Sequence, residues 1–251
     1  MKSIPTLKQL AGVVVGAVAL LGAVPALADT INFESHGPDI FAGGDVFTEA
    51  GYTMQVLDSP AGSGSGGAGM IANGADPDTC SVAACPVGNN SMYYLGLNDG
   101  GLNIHRTDTS AFLLHGLDYA FLAPLGGLQN FSYGQLVLTG KLAGGGTVRD
   151  AFDFPLQNGG GNYMFGAVPL GAAFGHANLS ELTVSACLFD NSGSCFNPAA
   201  NQAQFAIDNL NVSAVPEPSA YAMLMLGLGG IALAARRRAR SVQPTAPSLP
   251  A

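Results

Sequence analysis

The feature that most constrains this chain is a two-residue apolar rhythm broken by glycine. Ile31 and Phe33 alternate with polar Thr30, Asn32 and Glu34, and Tyr52, Met54 and Val56 form the next such run. Leu136, Leu138 and Leu142 share one phase, with Gln135, Thr139 and Lys141 on the other, and Leu182, Val184 and Ala186 repeat the pattern. Successive side chains of a strand point to opposite faces, so this rhythm marks strands with one buried face. Between Asp29 and Ala214 there is no long three-four apolar repeat of the kind a helix needs. Glycine clusters at Gly62–Gly69, Gly144–Gly146 and Gly159–Gly161 separate the runs, and each glycine weakens a helix by about 1 kcal/mol. The expectation is an all-β domain over residues 29–214, an antiparallel β-sandwich of about eight to ten strands in a jelly-roll arrangement. In Phe205–Val212 the apolar phase flips at Asp208-Asn209, which predicts a β-bulge in the last strand.

Charge narrows the partners. Only 10% of residues are charged, against roughly a quarter in ordinary domains. Lys2 and Lys8 lie near the start, and Arg236, Arg237, Arg238 and Arg240 near the end, leaving Arg106, Lys141 and Arg149 for the region between. All 17 acidic residues fall between Asp29 and Glu217. An acidic domain repels phosphate backbones, so nucleic acid is excluded as a partner, whereas divalent cations are attracted.

Both ends read as targeting segments. Lys2 and Lys8 precede an apolar stretch from Leu10 to Val24, and Ala26-Leu27-Ala28 supplies an A-x-A cleavage site. Residues 1–28 are therefore expected to be a signal peptide, read by the Sec translocon and cut by signal peptidase, with the mature chain starting at Asp29. At the other end, Val215-Pro216-Glu217-Pro218-Ser219 leads into an apolar run over 220–235, and Arg236-Arg237-Arg238-Ala239-Arg240 follows directly. The apolar run is expected to cross the inner membrane, a little short of the roughly 20 residues a span needs, with Tyr221 at the interface and the arginines held in the cytoplasm. Pro216 and Pro218 are expected to keep the preceding stretch extended. Residues 241–251 read as an unstructured tail.

The order and spacing of the triplet Pro216-Glu217-Pro218, the apolar run and Arg236–Arg238 resemble the PEP-CTERM sorting signal of Gram-negative bacteria. That resemblance implies processing by an exosortase, a membrane-embedded cysteine transpeptidase, over residues 215–240. Ile31-Asn32-Phe33-Glu34, Gly51-Tyr52 and the Phe205–Val212 segment are similar to the opening and closing strands of PEP-CTERM ectodomains, which are in turn similar to the jelly rolls of carbohydrate-binding modules. The resemblance implies a cell-surface or extracellular-matrix protein linked to exopolysaccharide and biofilm.

The four cysteines, Cys80, Cys85, Cys187 and Cys195, all lie in the exported region, where oxidation is permitted. Of the three possible pairings, the local one is expected, Cys80 with Cys85 and Cys187 with Cys195, because each pair brackets a turn-rich segment. A zinc site would need tighter spacing and supporting histidines.

No constellation for catalysis stands out. His36, His105, His115 and His176 form no H-E-x-x-H or H-x-H motif, and neither a G-x-S-x-G elbow nor a phosphate-binding glycine loop occurs. Asp150 with Asp153, or Asp99 with Asp108, would be the carboxylate pairs for glycoside hydrolysis. Asp76-Pro77-Asp78, Asn98-Asp99-Gly100 and Asp208 offer oxygens for calcium, or else serve as plain turns and a cap on bulged backbone. Tyr93 and Tyr94 point to opposite faces, so that one packs inside and the other is free to stack on a sugar ring, or both pack. The expected function is a non-enzymatic adhesion or exopolysaccharide-associated component. The alternatives are a secreted polysaccharide-active hydrolase and a calcium-dependent assembly module.

Overall fold

The alternating runs become strands because each places its apolar phase on one face. In the computed structural model, residues 28–59, 66–80, 83–196, 202–215 and 218–240 are described. Their strands are β1 (Ala28–Ile31), β2 (Asp39–Phe41), β3 (Val46–Glu49), β4 (Tyr52–Leu57), β5 (Gly69–Asn73), β6 (Met92–Gly96) and β7 (Gly101–Arg106). They continue with β8 (Phe112–Phe121), β9 (Gly134–Leu142), β10 (Thr147–Asp153), β11 (Gly166–Ala167), β12 (Leu179–Phe189), β13 (Cys195–Phe196) and β14 (Phe205–Ala214). A one-turn helix α1 (Ala172–Gly175) precedes β12, and a long helix α2 (Pro218–Arg240) follows β14. Leu27–Val215 forms one compact unit, and the segment from Pro216 onward belongs to another.

All strand pairs in the β unit are antiparallel. One half of the sheet runs β2-β5-β6-β14-β8, with β1 added to β14 and β11 to β8. The other half runs β3-β4-β7-β12-β9-β10, with β13 added to β12. A single pairing, Leu179 with Phe112, joins them, so the 14-stranded sheet curls over on itself. Part of the excess over the expected strand number comes from β2, β11 and β13, which are only two or three residues long, too short to show a period.

The two halves share one core. Tyr52, Met54 and Val56 of β4, Leu136 and Leu138 of β9, and Leu182 and Val184 of β12 meet Tyr94, Phe121, Phe205, Ile207, Leu210 and Val212 from the facing half. Leu142, at the end of its strand, is only half-buried. Gly96 is required here, since a Cβ at that position would run into the Phe205 ring. The β3–β4 hairpin turns on Ala50 (φ 50°) and Gly51 (φ 79°), the two left-handed residues of a tight primed turn.

The outer faces of the two halves differ. On the first half, Met70, Ala72, Tyr93, Leu95, Leu97, Ala120, Leu122 and Ala206 form a second apolar cluster, capped by Cys80, Ala83, Cys85 and Phe165. The cover comes from the β5–β6 connection, which a short 3-10 turn (Pro77–Cys80) and the Cys80–Cys85 disulfide hold in shape. On the second half, the outward residues Gln55, Asn103, His105 and Lys141 face solvent.

In the other unit, α2 begins at Pro218 and runs through the arginines to Arg240. The helix reaches no further back than Pro218, and the stretch before it that Pro216 and Pro218 are expected to keep extended lies outside the described residues. The fixed φ of Pro218 suits the first helical position, where a backbone N–H would lack a partner in any case. Among the described residues no helix is long and apolar enough to cross a membrane. Gly227, Gly229 and Gly230 interrupt the apolar run and the arginines share its last turns. Leu224, Met225, Leu226, Leu228, Ile231 and Leu233 are nevertheless exposed along it. Tyr221's side chain, Ala26, Pro216, Glu217 and residues 241–251 lie outside the described residues.

Candidate functional site

The residues singled out from the sequence do not converge on one site. Asp208 sits at the expected bulge, where the β14 register against β8 shifts between Asp208 and Asn211 and Asn209 takes φ 50°. Its carboxylate is buried. Asn89 Nδ2 (2.6 Å) and Ser91 Oγ (3.1 Å) donate to Oδ2, and the Asn209 backbone N–H (2.7 Å) donates to Oδ1. The Asn209 side chain in turn donates to Asp118 Oδ2 at 2.9 Å. Burial pushes the Asp208 carboxyl up to about 6, despite those three donors, and the nearby Asp118 charge adds to the rise. Asp208 therefore ties the bulge to the β5–β6 connection, with its oxygens already used by protein donors.

Two of the other calcium candidates also accept protein hydrogen bonds. Asp99 is buried and accepts the Ala203 N–H at 2.6 Å. Asp76 Oδ1 accepts the Asp78 N–H at 3.2 Å within an exposed turn. Among the described residues no group of three His, Cys, Asp or Glu side chains is placed to hold a metal ion. The carboxylate pairs also separate. Asp99 and Asp108 lie beyond opposite ends of β7, which spans Gly101–Arg106 at about 3.3 Å per residue. Asp108 is bound to Arg106 at 2.7 Å, and that hydrogen bond with those from Ser110 holds it well below the usual carboxylate range. Asp153 accepts from Gln135 Nε2 at 2.7 Å, whereas Asp150 Oδ1 accepts the Ala151 N–H at 3.0 Å.

Tyr93 and Tyr94 do alternate, and both rings are buried, although Tyr93 also lines a pocket of ≈ 230 Å³ with Asn73, Asn89 and Asn90. Tyr94 packs in the central core, and Tyr93 lies in the outer cluster with Phe165 at 5.3 Å, edge to face. Burial pushes the Tyr93 hydroxyl up to about 12. Both cysteine pairs are joined as the spacing suggests, Cys80–Cys85 and Cys187–Cys195.

Among the clefts that open to solvent are two that were not singled out from the sequence. The first is an open groove of ≈ 530 Å³ on the second half's outer face, lined by Gln55, Asn103, His105, Thr109, Lys141, Ser180 and Glu181 among others. Its one carboxylate, Glu181, is bound to Lys141 at 3.1 Å. The period-two rule places these side chains outward but says nothing of their neighbours across strands. The second is a smaller pocket of ≈ 230 Å³ between the β8–β9 and β10–β11 connections, lined by Leu125, Leu128, Gln157, Asn162 and Tyr163 among others. It lies in irregular backbone, where no periodicity draws attention to it. The only trace in the sequence is the mixture of glycine, amides and aromatic residues across 126–133 and 157–163.

β14 ends at Ala214, and the Val215 N–H donates to the Ala111 carbonyl at 2.9 Å, so the β unit is complete where the Pro-Glu-Pro triplet begins. Residues 214–238 match the family described as the PEP-CTERM protein-sorting motif. The chain carries a PEP-CTERM sorting signal. Exosortase-dependent export follows from that motif. No curated protein matches the chain. Among solved structures, it is similar to TmCBM61 in complex with β-1,4-galactotriose, at 8% identity over 64% of this chain and 88% of that one, TM-score 0.33. It is also similar to the C-terminal family 22 carbohydrate-binding module of Clostridium thermocellum Xyn10B, at 10% identity over 75% and 95%, TM-score 0.33. The CBM22-1 xylan-binding domain of Paenibacillus barcinonensis Xyn10C matches at 10% identity over 78% and 99%, TM-score 0.31.

Proposed function

We propose that this PEP-CTERM chain enters the Sec translocon, loses residues 1–28 to signal peptidase, and is held at the inner membrane by its tail until an exosortase processes it. The mature β domain is then displayed at the cell surface or in the extracellular matrix, where it contacts exopolysaccharide without catalysing a reaction. The sorting motif at 214–238 carries the reading. It starts where β14 ends, so removing the tail takes no strand and no core side chain from the β unit.

Polysaccharide contact is supported by the two clefts, both lined largely by amides, hydroxyls and apolar groups rather than by charge. Binding without catalysis is supported by the groove's acid, Glu181, which is paired with Lys141 and has no second carboxylate beside it among the lining residues. Function without calcium is supported by the protein donors that occupy Asp208 and Asp99. A jelly-roll strand order and a membrane-resident stage for residues 220–235 belong to the same reading. Deleting residues 216–240 in the producing strain tests it. The expected result is loss of the protein from the surface and matrix fractions with the β domain still folded in the periplasm or medium. Unchanged surface display would overturn it.

A further inference from the structure

The pole of the β unit built from residues 124–133 and 155–165 presents apolar side chains to water in a region otherwise rich in glycine and amides. Leu125 (59%), Phe131 (48%), Leu156 (54%) and Met164 (39%) are all well exposed there. One face of the Phe131 ring stacks on Tyr133, with centroids 4.0 Å apart and planes at 27°, which leaves its other face open.

The ring is also held in place. Tyr163 Oη shares its one hydrogen between the carbonyls of Gln129 and Phe131, 3.4 Å from each, and the Tyr133 hydroxyl accepts the Gln129 N–H at 3.1 Å. From the opposite connection, Gln157 donates its backbone N–H to Asn130 Oδ1 at 2.9 Å and its side-chain amide to the Leu128 carbonyl at 3.1 Å. Both connections are thus tied together around an exposed aromatic ring, and such pre-organisation lowers the cost of ordering loops on binding. The adjoining pocket of ≈ 230 Å³ is below the roughly 300–1,000 Å³ of common small-molecule sites, a size for one ring or chain end. Its lining includes no Asp, Glu, Lys, Arg or His. Among the described residues the Asn162 and Gln129 side-chain amides make no hydrogen bond, so both donors and acceptors can meet hydroxyls.

We propose that this pole is the site at which the β domain binds a neutral glycan, one sugar ring lying on Phe131 and its hydroxyls meeting Asn162 and Gln129. The inference rests on the polysaccharide reading above and narrows it to one ligand class and one place. A flat aromatic face suits the C–H face of a sugar ring, whereas side-chain amides suit its rim of hydroxyls. Acidic polymers find no cation in the pocket, and two of the three cations of residues 28–215, Arg106 and Lys141, are engaged elsewhere by Asp108 and Glu181. A second copy of the chain would need a contact of about 800 Å² per partner, whereas here four apolar side chains alternate with polar loops.

Residues 28–215 close their own sheet and core, so this unit is the test protein. Its binding to soluble xylan, mannan, galactan and β-glucan, with alginate as the acidic comparison, is measured by affinity electrophoresis. The same polymers are run with Phe131→Ala, Phe131→Trp, Asn162→Ala and the groove variant Gln55→Ala. The expected result is retardation by at least one neutral polymer and not by alginate. Phe131→Ala weakens it by about tenfold or more, as expected for loss of a central anchor. Phe131→Trp retains it, Asn162→Ala weakens it, and Phe131→Ala lowers the melting temperature by no more than a few degrees, since the half-exposed ring loses only its stack on Tyr133. Wild-type binding by Phe131→Ala overturns the inference. So does loss in Gln55→Ala alone, which moves the site to the sheet groove and leaves the polysaccharide reading standing. Preference for alginate, or a Phe131→Ala effect confined to self-association in sedimentation, also overturns it. Failure to bind any polymer, including the producing strain's own exopolysaccharide, defeats the inference and the polysaccharide reading together, while tail processing is tested separately.

Discussion

Replacing Asp208 by Asn reports directly on the buried carboxylate beneath the β5–β6 connection. Burial holds this carboxyl at about 6 rather than the 3.8 of a solvated aspartate. Because the folded value is the higher one, the fold binds the proton more tightly than the unfolded chain does. The resulting stabilisation is full below about pH 4 and is lost as pH rises through 6. One pKa unit corresponds to 1.36 kcal/mol, so the loss across that window is about 3 kcal/mol. An Asn at 208 can keep its oxygen toward Asn89 and Ser91, but its amide then faces the Asn209 N–H. That mismatch costs about 1–3 kcal/mol and does not depend on pH. Urea unfolding of residues 28–215 is measured at half-unit steps from pH 4 to 7.5 for wild type and Asp208→Asn. Titrations common to both proteins cancel in the difference. The variant is expected to be the less stable protein at pH 4 and to gain about 3 kcal/mol on wild type by pH 7.5. Parallel stability curves would refute the assignment of a raised carboxyl to Asp208.

Other expectations follow from the packing and the cross-links. Gly96→Ala places a methyl group against the Phe205 ring and should cost about 1–3 kcal/mol, which thermal unfolding will show; a neutral result would mean the core is looser there than described. Replacing Cys187 and Cys195 together by Ala should lower stability by about 2–3 kcal/mol under oxidising conditions and abolish the difference between oxidised and reduced wild type at that bond. Addition of a chelator such as EDTA should leave the melting temperature of the β unit unchanged, since Asp208 and Asp99 are held by protein donors; a fall of several degrees restored by calcium would contradict this.

Local chemistry was legible and long-range convergence was not. The phases of Tyr52–Val56, Leu136–Leu138 and Leu182–Ala186 follow from the strand period alone, and the Asp208-Asn209 bulge follows from the phase flip. The disulfides were legible because each closes a short turn. Tyr93 shows the limit. Alternation correctly sends it to the face opposite Tyr94, but only the folded β5–β6 connection and Phe165 reveal that this face is covered. Asp76, Asp78, Asp99 and Asp208 have the right oxygens, yet whether they meet depends on chain paths that turn residues do not specify. Phe131, Tyr133 and Tyr163 sit in connections without a period, and they come together only because β8–β9 and β10–β11 exit at one pole. The tail was the opposite case, since its three parts are contiguous and need no fold to be recognised.

The covalent state of the exported protein decides whether the tail is processed. Intact-mass spectrometry of the protein recovered from the surface fraction of its producing strain, with and without the exosortase, reads both ends at once. The expected species begins at Asp29 and lacks Arg236–Arg240, with those arginines retained when the exosortase is absent. A surface protein that keeps its arginines while the exosortase is present would contradict processing of the tail.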